Sequence, residues 1–361
     1  MARIGIIGTG NISGIYLENA PRLGLEVLAV ADLDLERARV QAEKYSVPHA
    51  LSVDDLLAHP DIEIVLNLTV PAAHGPIALR ALEAGKHVYN EKPLAITLEE
   101  AGKMLELSRQ KGLRVGCAPD TFLGAGFQTA RERLEGGLVG QAVQAHALMS
   151  SVGPEGWHPD PNFFFQPGAG PLFDMGPYYL TALVSLFGSV SSVFAANKST
   201  HTQRTVGSGT KAGQRIAVNT PTHVSGILSF ESGLTANLTM SFDAVAGRAP
   251  NLEVYGTAGS LTLPDPNTFG GPLETGDEHG TRRELALTKP FADNSRGLGL
   301  ADMARAIQEG RPHLASLELS YHVLETMFRL LESGREGRSI SVESRVIRPE
   351  ALQDGFEQIK V

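Results

Sequence analysis

Apolar and polar positions change their period along this chain. In the first third, short apolar runs at residues 3–7, 25–31, 62–69, 87–89 and 114–117 alternate with segments rich in helix formers at 14–20, 35–45 and 76–84. A further helix is predicted after Thr97, with Glu100 three residues on as a capping box, and Gly85 closes the helix before it. Strands alternating with helices at this spacing predict an α/β domain built on a doubly wound parallel sheet. The pattern then changes. After a helix near 128–135, strands dominate, at 142–150, 190–198, 223–230, 234–242, 252–255 and 261–263, with turn residues at 231–233 and 256–259. A helical pair at 300–309 and 317–333 and a short strand at 339–342 close the chain. This half predicts an α+β domain with an open, mostly antiparallel sheet. The expected boundary is near residue 120, giving domains 1–120 and 121–361.

Composition narrows the function classes. The chain has 361 residues, enough for two cores, and a formal net charge of -9. No cationic excess exists to neutralise phosphates, which argues against nucleic acid and anionic membranes as partners. No apolar run is long enough to cross a bilayer, and the run Ile4 to Ile7 leads straight into glycines, as a strand and not a signal peptide. The single cysteine, Cys117, excludes an intrachain disulfide, suits a reducing cytoplasm and reads as a buried thiol.

The first strand ends in Gly8-Thr9-Gly10-Asn11-Ile12-Ser13, and a helix follows. The first glycine permits the tight turn. The second lets a pyrophosphate approach the backbone, and the helix N-terminus offers it free N–H groups. Ser13 stands where a third glycine is usual and is small enough for helix–sheet packing. Asp32, at the end of the second strand, is placed to accept the adenosine ribose hydroxyls. A 2′-phosphate would meet its charge, Leu33 supplies no cation, and Arg37 is expected on a solvated helix face. NAD is therefore expected over NADP. Thr69, Val70, Pro71 and His74 follow a strand, at the sheet edge where nucleotides lie; for His74 a helix-start role is equally open.

Glu91-Lys92-Pro93 follows the strand at 87–89, so Lys92 is at the same sheet edge, either as a crevice residue or as a surface lysine. Downstream, Asp174 precedes Tyr178 by one turn if the segment is helical. Oxidising a secondary alcohol needs a group to take the hydroxyl proton. A free tyrosine, pKa ~10, serves near neutrality only beside a cation such as a lysine. Asp174 can orient a substrate hydroxyl or cap a helix, and Tyr178 can be a half-buried aromatic beside Tyr179.

With Gly8 to Ser13, Ala84-Gly85-Lys86-His87-Val88, Glu91-Lys92-Pro93 and the stretch from Gly168 to Tyr178 together, the sequence resembles the glucose–fructose oxidoreductase / inositol dehydrogenase / MocA family over nearly its whole length. The resemblance implies a Rossmann domain followed by an open sheet used for homodimers or homotetramers. It also implies Lys92, Asp174 and Tyr178 as catalytic and substrate-binding residues. Gly8, Thr9, Gly10, Asn11, Ile12, Asp32, Thr69, Pro71, His74, Glu91 and Lys92 are the expected cofactor contacts, with no metal. Many relatives carry histidine where this chain has Tyr178; the glucose–fructose oxidoreductases and dimeric dihydrodiol dehydrogenases are similar to it in having tyrosine.

The polar, proline-rich loop around Trp157 and His158 is a further candidate for closing over a sugar; His223, Arg296 and His313 are undecided. The reading is hydride transfer between NAD(P) and a sugar, sugar derivative or cyclic polyol. Two other classes stay open: an NAD-using glycoside hydrolase of the same family, and a non-catalytic dinucleotide sensor, against which the joint presence of Lys92, Asp174 and Tyr178 argues.

Overall fold

The computed structural model describes residues 2–245, 247, 249 and 251–356. The described chain falls into two compact units: residues up to 124 with 290–321 and 349–356, and residues 125–289 with 322–348.

In the first unit, strands β1 (Ala2–Ile7), β2 (Leu25–Ala31), β3 (His49–Leu51), β4 (Ile64–Asn67), β5 (His87–Asn90) and β6 (Val115–Cys117) alternate with helices α1 (Ser13–Asn19), α2 (Leu35–Tyr45), α3 (Val53–Ala58), α4 (Pro71–Glu83) and α5 (Leu98–Lys111). The sheet order is β3-β2-β1-β4-β5-β6 and every pairing is parallel. Strands covered on both faces are mostly apolar, as in β4, which is buried at all four positions and apolar at Ile64, Val65 and Leu66 before Asn67. The order reverses between β1 and β4, which opens a crevice beyond their carboxyl ends. Helix α2 is capped by Asp34, whose side chain accepts from the N–H groups of Glu36 and Arg37, and α5 by Thr97, which accepts from Glu100.

Helix α4 starts five residues before the expected Pro76. Two prolines in the segment both suit a first turn, and Pro71, after extended Val70, takes it. Pro76 then lies inside the helix, where it donates no bond. Three-residue β3 and six-residue α3 were too short to show a period.

The second unit contains α6 (Ala125–Glu135), β7 (Ala142–Ser150), α7 (Gly170–Asp174), α8 (Gly176–Phe187), β8 (Val190–Lys198), β9 (Gln203–Thr205), β10 (Arg215–Ala217), β11 (His223–Phe230), β12 (Thr235–Ser241), β13 (Leu252–Gly256), β14 (Ser260–Leu263), β15 (Glu274–Gly276), β16 (Arg282–Glu284) and β17 (Ile340–Ser341). Its sheet runs β16-β15-β14-β13-β7-β12-β11-β8-β17, and β9 and β10 form a separate ribbon. The pairings are antiparallel except β7 with β12, so the sheet is mixed and mostly antiparallel. Along β12, Ala236, Leu238 and Met240 are buried while Thr235 and Asn237 are exposed, so one face forms the core.

The helix α9 (Leu298–Glu309) packs in the first unit, not with the strands that precede it. Asp120, after β6, accepts from the N–H groups of Gly297 (2.9 Å) and Gly299 (3.0 Å) at its N-terminus. The Cys117 N–H donates to the Ala315 carbonyl (3.1 Å), and Gly116 bridges to Ser316, so residues 315–316 continue the edge of the parallel sheet. Helix α10 (Leu317–Glu336) follows, and from residue 322 on it belongs to the second unit. Among the described residues, no helix is long and apolar enough to cross a membrane.

Buried histidines give the fold a pH dependence. The Val190 N–H donates to His322 Nε2 (2.9 Å), which must keep its lone pair, and burial holds the His322 pKa down to about 4. Burial holds His313 down to about 4 as well. An unfolded histidine titrates near ~6.5, so the unfolded chain takes up protons first, and this stabilisation is lost as the pH falls from ~6.5. Asp120 acts in the opposite sense: burial raises its pKa to about 6, so its contribution is whole at low pH and lost as the pH rises through that value. Two histidines outweigh one carboxyl. Tm measured by calorimetry is expected to fall between pH ~6.5 and ~4.5, and His322→Gln to flatten part of that slope. A slope unchanged in the variant would contradict the assignment.

Candidate active site

The loop from Gly8 to Ile12 joins β1 to α1 at the crevice. Gly8 has φ 99°, and a Cβ there would lie 2.7 Å from the Leu68 carbonyl carbon and oxygen, so only glycine fits beside the β4 exit. Gly10 is different: a Cβ there would meet nothing within 4 Å. The backbone at Gly10, just before α1, is therefore open where a side chain would otherwise stand. Ser13 is fully buried and its hydroxyl donates to the Gly10 carbonyl (2.7 Å), closing the loop. The close packing expected of a third glycine falls one position later, at Gly14, where a Cβ would lie 2.9 Å from Tyr45 Oη. Asn11 is exposed, and Ile12 is half-buried and precedes α1.

Asp32 does more than wait for a ribose. Its Oδ2 accepts from the Thr9 N–H (2.8 Å) and hydroxyl (2.9 Å), and its Oδ1 accepts from the Asp34 N–H (3.1 Å). Burial alone would raise its pKa, but these donors and Arg37 bring it below the ordinary carboxylate value. The Arg37 guanidinium reaches to 3.9 Å of Asp32, so a cation stands at this position although the residue lies mostly in solvent. Leu33 is fully exposed.

At the β4 exit, the Thr69 hydroxyl donates to Asn67 Oδ1 (2.7 Å) and Pro71 opens α4. Asn67 Nδ2 donates in turn to Asn90 Oδ1 (3.0 Å), a pair at the ends of adjacent strands that no motif had marked. His74 is 1% exposed, with Nδ1 2.6 Å from the Pro93 carbonyl oxygen and Nε2 3.0 Å from that of Thr69. It therefore joins two loops from below. Burial lowers its pKa, and a neutral ring donates to one of these carbonyls.

Lys92 lies two residues past the end of β5, half-buried, in a cis peptide with Pro93. Glu91 is buried: its Oε1 accepts from Tyr16 Oη (2.7 Å) and its Oε2 from the Lys92 N–H (2.9 Å). Cys117 is buried with its pKa pushed well up by burial, a structural thiol. Thus Gly8, Thr9, Gly10, Asp32, Thr69, Pro71 and Lys92 gather at the carboxyl edge of one sheet, with His74 and Glu91 behind them.

In the second unit, Asp174 and Tyr178 lie on two helices, not one. Asp174 is the last residue of α7, Met175 intervenes, and α8 begins at Gly176, where a Cβ would be 3.2 Å from Leu172 Cδ1 and 3.3 Å from Met327 Sδ. Asp174 does not cap α8, whose N-cap is Met175. It is half-buried, and Tyr178, one turn into α8, is 7% exposed. Tyr179 is wholly buried, its pKa driven far up by burial.

Trp157 is 68% exposed and stands edge-on to His158, ring centroids 5.4 Å apart; His158 in turn packs on Phe163 and Phe164. This loop is anchored by Arg204, which pairs with Glu155 (2.9 Å) and Asp243 (2.9 Å) almost out of solvent. His223 bonds the Ser241 hydroxyl across β11 and β12 (3.0 Å), and His313 Nε2 bonds the Val115 carbonyl (3.0 Å); both act within the framework. Arg296 donates to Asn294 Oδ1 (2.7 Å) and its charge offsets part of the burial that raises Asp120. Among the described residues, no three His, Cys, Asp or Glu side chains gather as metal ligands.

Known proteins share the sequence features and the fold of this chain. Residues 2–118 match the profile of an oxidoreductase family with an NAD-binding Rossmann fold, and residues 127–262 match the GFO/IDH/MocA C-terminal domain. The myo-inositol 2-dehydrogenase of Thermotoga maritima is 26% identical over 347 residues, 94% of this chain and 98% of its own length. The trans-1,2-dihydrobenzene-1,2-diol dehydrogenase of Bos taurus is 28% identical over 320 residues, covering 85% and 87%. The solved structure of levoglucosan dehydrogenase in complex with NADH and levoglucosan has the same fold, with TM-score 0.80, 21% identity and coverage of 95% and 99%. The two matched profiles span most of the sequence, and the chain belongs to the Gfo/Idh/MocA family of nicotinamide-dependent oxidoreductases.

Proposed function

We propose that the protein moves a hydride between NAD and a secondary alcohol or ketone of a sugar, a sugar derivative or a cyclic polyol. The observation that carries this reading is the open face of Gly10 at the α1 N-terminus, beside a fixed Asp32 and on the same sheet edge as Lys92. Relatives whose names specify inositol and dihydrodiol substrates support the substrate class.

The residues present suit a dinucleotide. Backbone N–H groups from Gly10 to Ile12 would receive the pyrophosphate, Asp32 the ribose hydroxyls, and Thr69 and Pro71 would line the floor. Bound there, the nicotinamide supplies the hydride acceptor or donor. Lys92 polarises the reacting oxygen, and a phenol needs a nearby cation to work near neutrality. Tyr178 takes or returns the hydroxyl proton. Asp174 orients a neighbouring hydroxyl, and the anchored loop bearing Trp157 and His158 covers the sugar.

Asp32 favours NAD because its charge repels a 2′-phosphate, while Arg37 stands ready to accept one. Asp32→Ser is therefore expected to raise the kcat/KM ratio of NADP over NAD at least about tenfold, or ~1.4 kcal/mol; an unchanged ratio would remove Asp32 from the ribose site.

The open face of the second unit's sheet supports assembly into a homodimer or homotetramer. Phe194 and Ile227 lie opposite each other there, 48% and 47% exposed. The single buried thiol suits a reducing, cytoplasmic compartment. The reaction is tested by following reduced-nicotinamide absorbance with NAD and NADP against a panel of sugars, sugar acids and inositols. Turnover of a member of the panel is expected. Tight dinucleotide binding with no turnover, and release of aryl alcohol from aryl glycosides, would replace the dehydrogenase by a hydrolase.

A further inference from the structure

Lys92 sits on a main-chain segment gripped from two sides. On one side, Tyr16 Oη donates to Glu91 Oε1 (2.7 Å) while Glu91 Oε2 accepts from the Lys92 N–H (2.9 Å). On the other, His74 Nδ1 lies 2.6 Å from the carbonyl oxygen of Pro93. The two anchors come from different elements. Tyr16 is on α1, the helix that the glycine loop opens, and His74 is on α4, whose first turn follows Thr69. Both are buried, at 3% and 1% exposure, so neither exchanges its partner for water.

The Tyr16–Glu91 bond is more than packing. Tyr16 is wholly enclosed, with the carboxylates of Glu91 and Asp120 and the phenol of Tyr89 around it. Burial, then those neighbours, push its pKa well above the ordinary value, so it keeps its proton and acts as donor. A phenylalanine would fill the same volume and leave one buried carboxylate oxygen without its donor. Glu91 would then be free to swing, and its other oxygen holds the lysine peptide.

We infer that Tyr16 is a positioning residue for Lys92: through Glu91 it fixes the lysine's main chain to the same helix that the glycine loop opens, so that the reacting lysine and the dinucleotide loop share one reference frame. The inference rests on the dehydrogenase reading for its kinetic consequence but not for its structural one. The geometry makes the order of effects specific. Losing the hydroxyl of Tyr16 leaves the Gly8–Ile12 backbone and Asp32 untouched, since Thr9 and Ser13 hold that loop. It loosens only the carrier of Lys92.

The test is Tyr16→Phe in the full chain, with three measurements: steady-state kinetics, NADH titration with thermal melting, and the Lys92 signal in spectra of reductively 13C-methylated protein, assigned by its loss in Lys92→Arg. The expected result is a fall in kcat of about tenfold or more, with dinucleotide affinity and Tm nearly unchanged and the Lys92 signal shifted or broadened. Two results would overturn the inference: kcat within about twofold of the parent with the Lys92 signal unmoved, or kcat, affinity and Tm falling together, which is the mark of a merely structural tyrosine. Should the parent protein show no turnover, the reaction reading is at fault. The Lys92 signal then decides the positioning claim alone: a change supports it and an unmoved signal refutes it.

Discussion

Gly10→Val is expected to abolish dinucleotide binding in a protein that still folds. A Cβ at Gly10 would meet no atom within 4 Å, so a side chain has room to begin there, and the Tm of the variant is expected to stay within about 2 °C of the parent. The same branched side chain fills the approach to the α1 N-terminus. Affinity for NADH, read by fluorescence titration, is expected to fall at least about a hundredfold, or ~2.7 kcal/mol. Gly8→Ala provides the contrast. There a Cβ would lie 2.7 Å from the Leu68 carbonyl at φ 99°, so stability itself falls, by about 1–3 kcal/mol. If Gly10→Val bound NADH normally, the glycine loop would not be the dinucleotide site.

Lys92→Ala is the second large effect. The Lys92 backbone N–H donates to Glu91 Oε2, and the Pro93 carbonyl oxygen lies beside His74 Nδ1. Alanine therefore preserves the main chain while removing the charge. The expected outcome is a fall in kcat of about a thousandfold, within the range of a lost acid–base or polarising group, with dinucleotide affinity changed less than about tenfold. Rapid-mixing kinetics with the substrate found by the panel separate the two quantities. A variant that keeps kcat would move the chemistry to another residue.

How much of this was legible in the chain depended on burial. Strands β2, β7, β8 and β11 have the bounds expected from their apolar pattern, because each carries buried apolar positions in its middle, such as Ala145 and Ala147 in β7 and Val193 and Ala195 in β8. The ribbon of β9 and β10 and the edge strand β16 went unseen: β16 is Arg282–Glu284, exposed at every position, and exposed edges leave no apolar signature. The parallel pairing of β7 with β12 was equally hidden, since parallel and antiparallel strands share a period of two. Asp174 and Tyr178 would share a helix face if their segment were one helix; Met175 separates two helices, and a Cβ at Gly176 would come close to Leu172 and Met327, a tertiary constraint that spacing does not reveal.

In the site, the glycine loop was visible because Gly8 has a positive φ and no room for a side chain, and Asp32 because it stands at the end of the second strand at the spacing that follows such a loop. Their mutual bond was not, because Thr9 and Asp32 are 23 residues apart, and Arg37's reach to Asp32 depends on a side-chain conformation that spacing does not reveal. Tyr16 had the look of any aromatic on an amphipathic helix, and the Asn67–Asn90 pair that of polar strand ends. Residues that act by touching ligands tend to form motifs; residues that hold them in place are spread over the fold.

The central claim, direct hydride transfer, is tested most directly by isotope tracing. The substrate identified in the panel is prepared with deuterium on the reacting carbinol carbon and incubated with NAD and the enzyme. Proton NMR of the recovered reduced cofactor should show deuterium at C4 of the nicotinamide ring, on a single face, in amounts equal to the ketone formed. Reduced cofactor without deuterium, or ketone formed without reduced cofactor, would contradict the account.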